Sequence, residues 1–198
     1  ELIILSAYFV PGKEGVRFLK ELRERGIRVR IVTNSLASTD VTLVHGGYSK
    51  YRREMLRAGI ELYEMNMELT KEQRKEKKGI GGSSKASLHA KAFVFDREEL
   101  FVGSLNLDPR SFDQNTEIGI VFHSPELGKM MGESFDKDID TKTFKVELHK
   151  DKNDGMEFLR WVTIKDGETI TYSSDPYTSL WRRFLVGLSS FLPIESQL

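Results

Sequence analysis

The chain contains no cysteine, which removes disulfides and thiolate metal ligands and leaves its redox compartment unreadable. It has no excess of charge either: 30 Lys plus Arg stand against 30 Asp plus Glu. A zero balance supplies no chain-wide field for nucleic acid, so any such contact would need a local basic patch. No apolar run reaches the ~18 residues of a membrane span. The chain has no initiating Met, and its opening run, Leu2-Ile3-Ile4-Leu5, lacks the charged leader and cleavage site of a signal peptide. A strand beginning at residue 2 reads as a piece cut from a longer protein. There is no internal repeat.

What is present suits a folded domain. The 198 residues are 39% apolar and 30% charged, too apolar for disorder and long enough for one good-sized core or two small ones. Residues 2–5 read as a short strand, closed by Pro11-Gly12. From 13 to 25 the apolar residues Val16, Leu19 and Leu22 recur at helical spacing, and Gly26 ends the helix. A buried strand follows at 27–32, with Val29 and Ile31 alternating with arginines. Strand, helix and strand at this length form a βαβ unit with parallel pairing. A polar loop, 33–40, leaves the end of the second strand, where α/β proteins place their sites. A helix is expected over 45–58, ended by Gly59, then a strand at 60–63.

Residues 70–87 turn charged and then glycine- and serine-rich, as in a mobile surface loop. Strands are expected at 88–95, 100–103 and 117–122, and a helix at 124–135. A hairpin joins 161–164 to 169–172 through Lys165-Asp166-Gly167-Glu168, since Asp-Gly favours a type I′ turn. The fold class that results is α/β, a mixed sheet flanked by helices in one compact domain.

Chemistry concentrates in residues 88–122. With His89-Ala90-Lys91 on a strand, imidazole and ammonium project to the same side. Transfer at a phosphodiester needs that pair: the lysine compensates phosphate charge while the imidazole attacks or donates a proton. Ser104 and Asn106, again two apart, offer a hydroxyl and an amide after Gly103, which permits close backbone approach. Glu117, after Asn115-Thr116, is positioned in the sequence to accept from the far nitrogen of His89 and fix its tautomer.

The pattern His89-x-Lys91-x4-Asp96-x6-Gly103-Ser104-x-Asn106, followed by Glu117, resembles the HKD signature of the phospholipase D superfamily. All seven positions match, and at roughly one chance in twenty each accident can be set aside. Asn34 within Thr33-Asn34-Ser35, then Asp40, His45, Tyr48, Tyr51 and Arg52, and residues 59–64, 105–111 and 192–195, are similar to the second half of bacterial C-type cardiolipin synthases. The resemblance implies one lobe of a two-lobe enzyme, each lobe giving one His-Lys-Asn set. One histidine becomes a phosphohistidine and the other protonates the leaving alcohol. It implies no metal and no organic cofactor. It implies anionic and zwitterionic phospholipids as partners, peripheral contact with the membrane on the bacterial cytoplasmic side, and no nucleic acid. The single motif puts the missing lobe upstream, or in a second copy of the chain. By the same resemblance His89, Lys91, Asn106, Glu117, Ser104 and Asp96 are the catalytic set, and Asn34, His45 and Gly103 are expected to touch substrate.

Plainer readings stand beside these. Asp96, before a charged turn, reads as holding a strand connection; His45 as a surface residue near a helix start; His123 and His149 as surface residues. The basic run 74–78 reads as a solvated loop face. The same signature also serves nucleases, and a silent scaffold lobe would tolerate loss of His89. Asp175-Pro176 reads as a helix start. The stripe Tyr177, Leu180, Trp181, Phe184, Leu185, Leu188 and Leu192 suits either a helix packed on its own domain or one sunk among lipid headgroups beside Arg182 and Arg183.

Overall fold

The computed structural model describes residues 1–67 and 87–189. Chain order runs β1 (Leu2–Ser6), α1 (Gly12–Glu24), β2 (Val29–Thr33), α2 (Thr42–Ser49), α3 (Arg52–Arg57) and β3 (Glu61–Met65). It continues with β4 (Lys91–Phe95), β5 (Glu99–Gly103), α4 (Pro109–Asp113), β6 (Gly119–His123) and α5 (Pro125–Lys142). It ends with β7 (Thr143–Lys150), β8 (Glu157–Lys165), β9 (Glu168–Tyr172) and α6 (Leu180–Ser189). The described strands form one mixed sheet in the order β6-β5-β4-β1-β2-β3-β7-β8-β9. Its centre, β1-β2-β3, is parallel; every other pairing is antiparallel.

Helices cover both faces because the central strands are apolar on both. Leu2, Ile4, Val29, Ile31 and Leu62 pack with Val16, Leu19 and Leu22 of α1 and Met55 of α3. Ile3, Val94 and Leu100 meet Met131 and Phe135 of α5 on the other face. Arg30, 1% exposed, is a buried charge within these strands. It pairs with Glu1 and Asp136 and lies over the Phe135 ring, so its charge is compensated where water is excluded.

Several boundaries differ from the sequence reading, each for a local reason. The helix expected over 45–58 is two helices broken at Lys50-Tyr51, beginning earlier, at Thr42. Strand β4 starts at Lys91, so His89 precedes the strand. Helix α5 runs to Lys142 and passes directly into β7, an interior strand between β3 and β8 whose alternating Phe144, Val146 and Leu148 the sequence reading did not use. The hairpin is as expected, with Asp166 at φ 53 and Gly167 at φ 81, the turn that matches sheet twist. Asp175 does not cap a helix: α6 begins at Leu180, and the Asp175 carboxylate turns inward to Arg52. Positions 70–86, with the basic run 74–78, and 192–195 lie outside the described residues.

Candidate active site

The site lies at the C-terminal ends of β1 and β2, where parallel strands stop together and loops diverge. Antiparallel β4 enters at the same end, Lys91 pairing with Ser6. The Lys91 ammonium lies 3.4 Å from His89 Nδ1 and donates to the His89 carbonyl at 3.0 Å. His89 is exposed and Lys91 half-buried, so a ligand can reach the ring while the amine stays in place. Burial pulls the Lys91 pKa below its ordinary value, opposed by the charges of Glu117 and Asp108.

Asn106 is buried, and its Oδ1 accepts the Tyr8 backbone N–H at 3.3 Å. That bond turns the amide NH2 away from Tyr8 and leaves it without a partner among the described residues. Tyr8 itself donates from its hydroxyl to Asp40 at 2.8 Å, and burial with that carboxylate pushes its pKa up to about 12. Ser6 ties the same corner, donating to the Tyr8 carbonyl at 2.6 Å and accepting the Leu107 N–H at 3.1 Å. Ser6 and Tyr8 were missed in the sequence. The signal was available, since they leave the end of a parallel strand just as residues 33–40 do.

Glu117 does not hold His89 in this structure. Its carboxylate accepts from the Ser104 hydroxyl and, at 3.1 Å, from Asn115. These two bonds, with the charge of Lys91 contributing, hold its pKa below the ordinary range. Ser104 Oγ also accepts the Ile118 N–H at 3.0 Å, so Ser104 fastens the β5–β6 exit and presents Glu117 as a fixed anion near Lys91. The expected His89–Glu117 hydrogen bond is replaced by Ser104–Glu117.

Other expected site residues take supporting places. Asp96 sits past the far end of β4, about 16 Å along the strand from Lys91 at strand rise. With Arg97 it forms the positive-φ turn into β5, which makes it a turn residue remote from the chemistry. Gly103 is dictated by β6: a Cβ there would meet the Ile118 carbonyl at 2.5 Å and the Phe101 ring at 2.9 Å. Its close approach is to protein, not substrate. His45 is buried, with Nε2 turned to Asp175 and Arg52, so it lies behind the site and not on it.

Asn34 is likewise spent on the protein. Its Nδ2 donates to the Ala7 and Leu88 carbonyls, both at 3.0 Å, and its Oδ1 accepts the Leu88 N–H at 2.8 Å and the Ser38 hydroxyl at 3.1 Å. One side chain thus clamps both backbone groups of the residue before His89, in place of a strand partner. With both donors used it has none for substrate. In the whole protein, replacing Asn34 with alanine is expected to lower any turnover that depends on His89 about tenfold to a hundredfold, as for a displaced catalytic group, with KM nearly unchanged. Steady-state kinetics check this; a raised KM at constant kcat would return Asn34 to the role of substrate ligand.

Behind the site, His45, Glu64 and Asp175 bring potential metal ligands within 4.8 Å of one another. A cation already stands among them. Arg52 Nε lies 2.9 Å from Glu64 Oε1, and its Nη2 donates to Asp175 at 2.8 Å. Tyr48 and Trp161 donate to Glu64 at 3.1 and 3.0 Å. With the Arg52 guanidinium in their midst these groups form an ion-pair network, and the set does not fit a metal.

Comparison with known proteins shows the family and agrees with the fold. The family described as cardiolipin synthase, PLD-like domain, matches residues 1–139. Cardiolipin synthase C of Escherichia coli K12 is 38% identical over 192 residues, 97% of this chain and 40% of that protein. Among solved structures, Nuc from Salmonella typhimurium, a phospholipase D family member, superposes with a TM-score of 0.53 at 16% identity, covering 73% of this chain and 80% of Nuc. Phosphatidylserine synthase of Haemophilus influenzae Rd KW20 gives 0.53 at 18% identity, covering 73% of this chain and 33% of its own. The chain spans 40% of the length of its curated relative.

Proposed function

Because the chain belongs to the family of cardiolipin synthase, PLD-like domains, we propose that it supplies one half of the active site of a phosphatidyltransferase that makes cardiolipin. The observation that carries this reading is the grouping of an exposed His89 with the Lys91 amine 3.4 Å from its ring, beside a Glu117 carboxylate held by Ser104 and Asn115. In the first step an imidazole nitrogen attacks the phosphorus of a phospholipid. The P–N bond forms as the bond to the leaving alcohol oxygen breaks, and an acid on the opposite side protonates that oxygen. In the second step the acceptor lipid's hydroxyl loses its proton to that same group and displaces the histidine from phosphorus. Lys91 and the Asn106 amide lower the energy of the charged phosphoryl oxygens. His89 is one of the two histidines, and the chain itself provides no second HxK.

The second histidine comes from another lobe, and the sheet offers a place for one. Lys91, Phe93 and Phe95 alternate onto one face of β4, Phe101 stacks on Phe93 at 4.9 Å, and Val121 of β6 pairs with Phe101. Phe18 and Phe112 rim the same face, lining with Phe93 and Phe95 a cavity of about 290 Å³. A lobe seated on this apolar surface would place its own catalytic set opposite Lys91.

The test is chemical. The whole protein, given vesicles mixing an anionic and a zwitterionic phospholipid, should form cardiolipin, whereas the 198-residue chain held monomeric should form none above background. Turnover by a strict monomer would refute the two-lobe account. Cleavage of single-stranded DNA without any transfer would turn the reading to a phosphodiesterase. That outcome would come with steep salt dependence, because phosphate neutralisation drives nucleic-acid binding.

A further inference from the structure

Helix α6 is built inside out. At about 100° per residue, Leu180, Phe184, Leu188, Trp181 and Leu185 share one arc, and this arc faces water: Leu180 is 79% exposed, Trp181 68% and Phe184 59%. The opposite side carries Val186, which is buried, and Arg182, which donates from Nη2 to the Thr39 carbonyl at 2.9 Å. Helix α6 thus docks on α2 and its leading loop through its polar side and leaves its apolar side out. Trp181 and Phe184 stack with centroids 5.6 Å apart, so the two rings form one continuous apolar surface. Val41 and Leu43, either side of the Thr42 that Arg182 also reaches, are exposed too.

We propose that this face of α6 is a docking surface for a bilayer rich in anionic phospholipid. Three observations select that occupant. The helix carries two arginines and no acid, and neither arginine has a carboxylate partner among the described residues, so the described helix has a net positive charge. Tryptophan, phenylalanine and leucine above arginine is the composition that sits at the headgroup boundary. The face is a ridge rather than a groove, a shape that enters lipid without needing a complementary surface. None of the described helices is long and apolar enough to cross a membrane, so lipid contact by these residues has to be peripheral.

The placement also serves the site. Arg182 grips Thr39, Asp40 beside it holds the Tyr8 hydroxyl, and the Tyr8 N–H holds Asn106. A bilayer seated on α6 therefore lies one loop away from the residues that would receive a phospholipid headgroup. This inference rests on the transferase reading for its purpose but not for its evidence.

The experiment uses the whole protein and vesicles of phosphatidylcholine, with and without added phosphatidylglycerol. Wild type should float with the anionic vesicles and much less with the neutral ones. The W181S/F184S variant should lose at least about tenfold in vesicle affinity, since two large apolar side chains would no longer insert. Its urea midpoint should be unchanged, because both side chains are exposed. Lipids brominated in the acyl chain should quench Trp181, while Trp161, 3% exposed in the core, provides the unquenched background. Unaltered vesicle binding in the variant would overturn the proposal. So would unfolding of the variant, which would mean that protein covers the face, or a changed oligomeric state without change in flotation, which would mean a second copy does. Transfer assayed on detergent-dispersed lipid separates the two readings. Vesicle binding without transfer sinks the enzymatic reading alone, and transfer without vesicle binding sinks the docking surface alone.

Discussion

Replacing His89 with glutamine in the whole protein is expected to reduce cardiolipin formation by at least about a thousandfold while leaving the fold intact. Loss of a general acid or base alone costs about a hundredfold to ten-thousandfold, and loss of a nucleophile that acts as one unit with its partners costs more. His89 is exposed, with its ring 3.4 Å from the Lys91 amine, so little burial is lost with it. Glutamine keeps polarity and approximate size without a nucleophilic, titratable nitrogen. His149, whose Nε2 lies 2.9 Å from Glu147 on β7, supplies the control: His149→Gln should leave turnover within about twofold, as surface substitutions do. Trapping the reaction in base, where a phosphohistidine survives, then divides the possible roles. If His89 is the nucleophile, labelled protein disappears in the glutamine variant. If His89 is the acid, label still forms on the other lobe's histidine, more slowly, and persists once formed, because both steps lose that group. Full activity without His89 would mean that this lobe is a scaffold.

The same region shows how far a sequence reading reaches. Lys91 lies at the start of β4 and Ser104 and Asn106 just past β5, as strand period and short spacings lead one to expect, although His89 itself precedes the strand. The strand-helix-strand opening and the Asp166-Gly167 hairpin were legible because they rest on local backbone preferences. What failed was partnership across the chain. Glu117 was assigned to His89, although Ser104, thirteen residues away in sequence, takes it across the β5–β6 pairing. Asn34 was read as a substrate ligand because an asparagine in a site loop offers donors; only the fold shows those donors used on Ala7 and Leu88. Asp175 followed by proline has every local mark of a helix start, yet ion pairing with Arg52, 123 positions earlier, draws it out of that role. Amphipathic periodicity located α6 but could not say which side faces inward. Here the helix is held by Arg182 and Val186, against the ordinary rule that the apolar stripe is the buried one.

Arg52 should prove the most costly single residue to lose for stability. Arg52→Met is expected to destabilise the protein by about 3–5 kcal/mol, the cost of stranding buried charge, because Glu64 is fully buried and Asp175 nearly so. Methionine also forfeits the stacking of the guanidinium over Tyr48 and Trp161. Urea unfolding at constant m-value measures the loss, and R52M/E64Q/D175N should recover much of it by removing the stranded charges along with their partner. A single variant within 1 kcal/mol of wild type, on the order of a surface change, would show that the network is not buried in solution. Acid should find the same weakness. Burial, then the charge of Arg52, pulls the His45 pKa below its ordinary 6.5. The unfolded chain therefore takes up that proton at higher pH than the folded one. Stability from this group is complete above about pH 6.5 and is lost as pH falls toward the folded value. Asp175, held below its ordinary 3.8 chiefly by Arg52 against the effect of burial, adds a second loss below about pH 4 by the same rule. H45N should abolish the first decline and keep the second. The consequence reaches function because these residues seat both ends of one assembly: His45 lies on α2, and Asp175 anchors the segment leading into α6. A protein loosened at Arg52 should therefore lose vesicle affinity before it unfolds globally.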